Sequence, residues 1–296
     1  MKPLYYPLLL SPYCKETIWG GSRLKAAYNK DTDIEPLGET WELTVRDAEY
    51  ERNTVTNGEY AGMTLNDLLG DEAKDFPLLV KYLDAGDKLS VQVHPIKNEM
   101  WYIVECDEGA ELVMGLSEPY DRARLLEAAE SGNIERLLRR VKVKKGDCYY
   151  IPQGLVHAIG AGILIAEIQE NSDITYRVYD YDRKQKDGKP RELHIPQAAE
   201  VICDYDIDTL EAVQYEKAAK EDGLLAASES FASRLIDVDG ECGFAFDGRF
   251  AHILCLDGEG SVGDVPICKG GSCIVFDECD VRTLSGKMQV IVSYCR

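Results

Sequence analysis

Two stretches of the chain concentrate side chains able to bind a metal ion. Gly86 to Glu99 reads GDKLSVQVHPIKNE and carries Gln92, His94, Lys97 and Glu99. Gly146 to His157 reads GDCYYIPQGLVH and ends on a second imidazole. Two imidazoles, one carboxylate and one neutral amide form a donor set that can hold a divalent cation and leave a position for substrate. Singly, each residue has an ordinary use. Gln92 would serve as a sheet amide, His94 and His157 as hydrogen-bonded core histidines, and Glu99 as a solvated carboxylate. The coincidence of four spacings favours the shared site.

Strand-and-turn sequence must position these donors. Alternation along Lys88–His94 puts Lys88, Ser90, Gln92 and His94 on one face and Leu89, Val91 and Val93 on the other. Strands are also expected at 76–83, 100–105, 148–152 and 162–168, separated by Gly, Asp and Asn turns, which argues an antiparallel sandwich or barrel. Helix is the minority. Asp121 to Ser131 has helical propensity, with Ser117 a candidate cap and Gly132 a stop. Ile134 to Val141 reads as a second short helix, Pro196 to Cys203 as a third with Pro in its first turn, and Leu65 to Leu69 as another.

The charged segment 205–225 reads as a connection, after which strand patterns resume at 231–238, 250–255, 271–276 and 287–294. The stretch PICKGGSCIVF (266–276) mirrors VKVKKGDCYYI (141–151), but no histidine follows it. The expectation is therefore a mainly β chain with a duplicated barrel. Residues 1–204 form the ligand-bearing unit, with a helical insertion at about 117–140, and residues 226–296 form a second unit without ligands.

Composition narrows the partners. Fifty-three carboxylates against 33 lysines and arginines give a net charge of −20, a field that repels nucleic acid and anionic membrane. A phosphorylated substrate would need a local cationic pocket. No run of about 18 apolar residues occurs, so no membrane span is expected. The N-terminus lacks a small-residue cleavage site, so no signal peptide is expected either. The ten cysteines sit singly in apolar runs and form no C-x-x-C, which suits reduced thiols in a cytoplasmic protein. Nothing in the sequence specifies the oligomeric state.

The two motifs resemble the cupin pair: a glycine-led strand with His-x-His-x4-Glu, then Gly-x5-Pro-x-Gly-x2-His. Gln92 stands where many cupins have the first histidine, and Pro95 follows His94. That variant resembles the class I mannose-6-phosphate isomerase family in its short bacterial form. Ile18-Trp-Gly-Gly21, Gly38-Glu-Thr-Trp-Glu42, Phe76-Pro-Leu-Leu-Val-Lys81, Lys97-Asn-Glu-Met-Trp101 and Ser172-Asp-Ile-Thr-Tyr-Arg177 agree with it in order.

The resemblance implies two cupin-like barrels, of the jelly-roll or double-stranded β-helix type. It implies one zinc ion per chain held by Gln92, His94, Glu99 and His157, and a sugar phosphate as the small-molecule partner. Arg177, Lys97 and Glu167 match family active-site residues. Arg177 could alternatively be a surface ion pair with Asp173 or Asp180, and Glu167 a buried ion-pair partner. Two rival functions stay open on the residues: an iron-dependent oxygenase, since His94, Glu99 and His157 also make a two-histidine, one-carboxylate set, and a non-catalytic sugar-phosphate sensor.

Overall fold

Short apolar runs, broken by glycine turns, build three antiparallel sheets in the computed structural model, which describes residues 4–46, 51–205 and 223–295. The first sheet has six strands, in the order Cys148–Ile151, Glu99–Cys106, Ile163–Glu170, Leu78–Ala85, Tyr13–Gly21 and Leu37–Leu43. The second has five, in the order Tyr176–Tyr179, Val91–Val93, His157–Ile159, Glu111–Leu116 and Leu138–Lys142. These two sheets face each other across a core that includes Trp101, Ile103, Leu112, Met114, Ile159 and Ile165. This is the jelly-roll barrel that the motifs implied.

The third sheet has eight strands. Three of them, Phe231–Gly243, Phe250–Val262 and Thr283–Cys295, run 13 residues each and curl around their own core of Ile253, Val275, Val290 and Val292. Leu8–Ser11 and Thr54–Val55, from the early chain, join this sheet at its edge. The protein is thus mainly β, with two barrels of cupin type and a small helical insertion. The connection expected at 205–225 lies almost wholly outside the described residues.

Strand alternation lets one sheet serve both barrels. In Leu78–Ala85, Leu78, Val80 and Tyr82 pack on the third sheet, with Leu254, Ile274 and Ile291. Leu83 and Ala85 face the first barrel's interior. The outer face of the five-stranded sheet is covered by helices. Leu125 of Arg122–Glu130 and Ala198 and Ala199 of Ile195–Val201 pack on Val91, Val93, Val113 and Ala158.

Three local expectations are corrected. Asp121, not Ser117, caps the helix, because its carboxylate accepts from the Arg124 amide at 3.0 Å. Only Ile134–Leu137 turns helically. Leu138–Lys142 is an edge strand instead, since pairing with Glu111–Leu116 uses its backbone groups and buries Leu138. Leu89 belongs to the barrel core rather than to the face of Val91 and Val93, because the strand begins only at Val91.

Polar groups also cross the seam between the barrels. Tyr82 Oη donates to the Cys255 carbonyl at 3.0 Å, and Ser272 Oγ donates to the Glu42 carbonyl at 2.7 Å. Lys30 Nζ, buried, lies 2.6 Å from Glu42 Oε1 and donates to the Gly270 carbonyl at 2.6 Å. A buried charge stripped of its partner is costly. Lys30→Met is therefore expected to lower the unfolding free energy by about 3–5 kcal/mol in urea titration, and Lys30→Met with Glu42→Gln to recover part of it.

Candidate active site

Sheet register assembles the site. On the five-stranded sheet Gln92 is opposite His157 on one side and Arg177 on the other, so the three form one cross-strand row. On the facing sheet Trp41, Lys81, Glu167 and Trp101 form a second row. Gln169 and Glu99 pair one step along it. The rows enclose a cavity of about 560 Å³ whose walls include Gln92, His94, Lys97, Glu99, Glu167 and Arg177.

The metal donors converge. His94 Nε2 is 3.2 Å from His157 Nε2 and 3.2 Å from Glu99 Oε1, and all three residues are buried. The Gln92 amide nitrogen stands 3.5 Å from His94 Nε2 and 3.3 Å from His157 Nε2. A half-turn of the amide puts its oxygen there instead, where it could serve as a fourth donor. His94 Nδ1 faces the Ile174 carbonyl at 3.0 Å and His157 Nδ1 the Leu155 carbonyl at 2.8 Å. With Nδ1–H donating outward, both Nε2 lone pairs point to the shared centre. Gly154 locks the two motifs together. Its N–H donates to the His94 carbonyl at 2.8 Å, and at φ +81° it sits where a side chain would be strained and would strike Cys203.

The electrostatics suit a cation. Burial, then the adjacent His94, pushes the His157 imidazole down to about 3, which keeps it neutral and able to donate its lone pair. Burial raises the Glu99 carboxyl, but Lys97 and His94 outweigh it and hold Glu99 well below the usual carboxylate range. Glu99 Oε1 is buried and accepts no well-aligned hydrogen bond among the described residues, although Lys97 Nζ lies 2.7 Å away. A buried carboxylate oxygen with no aligned hydrogen bond, facing two inward lone pairs, fits a divalent ion.

Beside the donors lies a charged floor. Lys81 Nζ is 2.9 Å from Glu167 Oε2, and Trp101 Nε1 donates to Glu167 Oε1 at 3.0 Å and to Glu99 Oε2 at 3.2 Å. Burial lowers Lys81, but Glu167 and Glu39 more than offset it and raise its affinity for a proton. The opposite wall is cationic. Arg177 donates from Nε to Ser90 Oγ at 3.3 Å and from Nη1 to the Glu192 carbonyl at 2.9 Å. Arg191 Nε donates to Asp180 Oδ2 at 2.8 Å, and Arg183 Nη2 to Asp180 Oδ1 at 2.6 Å. Burial, then the Arg191 guanidinium, pulls Arg177 below its ordinary value. The loop 177–191 holds six cations against three carboxylates, in a chain of net charge −20.

Six of the seven candidate residues therefore line one cavity, and His157 lies behind them against His94 and Gln92. Arg177 makes neither of the ion pairs considered for it: Asp173 pairs with Arg46, and Asp180 with Arg183 and Arg191. Glu167 does have a cationic partner, Lys81. Sequence reading assigned no role to Lys81, Gln169 or Arg191. A lysine inside the apolar run Phe76–Leu83 was the available signal for the first. His194 supports Arg177 instead of the metal, with its Nδ1 accepting from the Arg177 amide at 3.2 Å. His252 is buried in the second barrel's sheet against Ser272 Oγ at 2.7 Å.

A barrel with two imidazoles and a carboxylate converging inside it is a cupin whose donor triad could hold a metal ion. Residues 8–110 match the catalytic domain of type I phosphomannose isomerase, and residues 221–295 match the cupin domain of mannose-6-phosphate isomerase. The chain is 39% identical over 278 residues to the mannose-6-phosphate isomerase ManA of Bacillus subtilis, covering 86% of each protein. It is 40% identical over 216 residues to the mannose-6-phosphate isomerase of Streptococcus mutans, covering 66% of this chain and 67% of the other. The crystal structure of a Bacillus subtilis mannose 6-phosphate isomerase superposes with a TM-score of 0.84 at 34% identity, over 97% of this chain and 99% of that one. The chain belongs to the type I phosphomannose isomerase family and is an aldose–ketose isomerase. That sets aside the oxygenase and the non-catalytic sensor.

His157→Ala removes a donor that no neighbour replaces. Metal content by elemental analysis after dialysis is expected to fall at least about tenfold, with the far-ultraviolet dichroism unchanged.

Proposed function

We propose that the protein interconverts mannose 6-phosphate and fructose 6-phosphate through an enediolate, with zinc held by Gln92, His94, Glu99 and His157. The observation that carries this is the pairing of an inward-facing donor set with an arginine wall in one cavity. One carboxylate and three neutral donors leave the ion a net positive charge, and when bound it supplies Lewis acidity for a carbonyl and hydroxyl oxygen.

The chain's own residues divide the remaining work. Arg177 and Arg191 line the cavity; Arg177 offers its remaining guanidinium N–H groups to a phosphate dianion, and Arg191, held on Asp180, adds positive charge beside it. Holding that end positions C1 and C2 of the open-chain sugar over the floor. There Glu167, held in place by Lys81 and Trp101, takes the C2 proton. The C2–H electrons form the C1–C2 double bond, and the carbonyl π electrons move to O1. Lys97, buried beside Glu99, faces the developing negative charge on oxygen. The O2 proton passes to O1, the C2–O2 carbonyl forms, and Glu167 returns its proton to C1. Atoms and charge balance without any oxidant. No helix among the described residues is long and apolar enough to cross a membrane.

A coupled assay that follows fructose 6-phosphate tests this. The purified protein is expected to turn over mannose 6-phosphate, to lose that activity on chelation and to regain it with zinc. Arg177→Lys is expected to lower kcat/KM by about a hundredfold, since an ammonium cannot reproduce the fork. Full activity after complete metal removal would sink the proposal.

A further inference from the structure

The floor of the cavity contains a closed ring of side chains that the reaction scheme above uses only in part. Starting from Glu99 Oε1, the ring passes to Lys97 Nζ at 2.7 Å and on to Gln169 Oε1 at 3.0 Å. Gln169 Oε1 also accepts from Lys81 Nζ at 2.9 Å, and Lys81 reaches Glu167 Oε2 at 2.9 Å. Trp101 Nε1 closes the ring between Glu167 Oε1 and Glu99 Oε2. Four charged groups form two ion pairs; Gln169 joins them between the two ammoniums and Trp101 between the two carboxylates.

Gln169 does not line the cavity, and no solvent reaches it. Its orientation is fixed from behind. Nε2 donates to the Glu170 carbonyl at 2.9 Å and to the Ser172 carbonyl at 2.8 Å. An amide with both N–H groups engaged cannot flip, so Oε1 must face the two ammoniums. That single oxygen stands between two like charges and draws each toward it. Lys81 is thereby directed to Glu167 and Lys97 to Glu99. Each ammonium has three N–H groups, of which one meets Gln169 and one faces its carboxylate. The third is left for the cavity, which both lysines line.

We infer that Gln169 is a positioning residue for the isomerisation: its locked amide oxygen aims the Lys81 and Lys97 ammoniums at the reacting end of the sugar. The inference rests on the functional reading above and adds a residue that touches neither metal nor substrate. Two near-isosteric variants of the full-length, metal-loaded enzyme separate aim from packing. Gln169→Met keeps the bulk and removes the acceptor. Gln169→Glu keeps an acceptor for both lysines and loses the donors that anchor it.

Gln169→Met is expected to lower kcat by about a hundredfold while KM stays within about threefold, as befits groups misplaced at the reacting centre. Metal content by elemental analysis should match the parent. Gln169→Glu should retain at least about ten times the kcat of the methionine variant. A packing role predicts the reverse order, because methionine is the better guest in a buried site. A methionine variant as active as the glutamate variant, or within about threefold of the parent, overturns the inference. Thermal unfolding gives a readout that needs no turnover. Two buried ammoniums without their acceptor should melt the methionine variant below the glutamate variant, and the opposite order counts against the inference. Parent turnover of mannose 6-phosphate in the same assay judges the functional reading separately.

Discussion

Two main-chain carbonyls decide which way the site imidazoles face. The Ile174 carbonyl meets His94 Nδ1, and the Leu155 carbonyl meets His157 Nδ1. The inward lone pairs and their approach to Glu99 follow from that tautomer. Both carbonyls sit in loops that flank the five-stranded sheet. The Gly154 amide bond to the His94 carbonyl ties one such loop to the other motif, so the donors cannot be placed independently.

The cavity separates two electrostatic tasks. One end carries paired lysines and carboxylates, nearly neutral in sum and buried, where proton movement is best controlled. The other carries arginines in excess of the carboxylate that holds them, inside a strongly acidic chain. A long-range field that repels anions is thus reversed locally, and a doubly charged ligand is favoured at one end only. Under the proposed function, the same arrangement sets which end of a sugar phosphate meets the donors.

Much of this was legible in the sequence, for physical reasons. His94, Glu99 and His157 stood out because imidazoles and carboxylates at strand ends have few other uses at such spacings. The mainly β architecture followed from short apolar runs between glycine turns. Lys81 was harder to read, because a single lysine in Phe76–Leu83 gives no hint of the partner it meets on the neighbouring strand, at Glu167. Gln169 was invisible for a similar reason: its role depends on two carbonyls behind it and two ammoniums in front. The stretch 138–141 reads as helix because its residues favour helix locally, while the free edge of Glu111–Leu116 offers a backbone partner that propensity does not record.

The strand Leu78–Ala85 has a consequence for how the molecule can change. One side of its pleat carries Lys81 into the cavity, and the other seats Val80 and Tyr82 against the ligand-free barrel. That barrel is therefore a buttress, and the strand is a beam shared by two rooms. Trimming the chain to a minimal catalytic module would bare an apolar wall and loosen the reach of a charged side chain on the same backbone. Residues with no chemistry of their own thereby set the tolerances of those that have it.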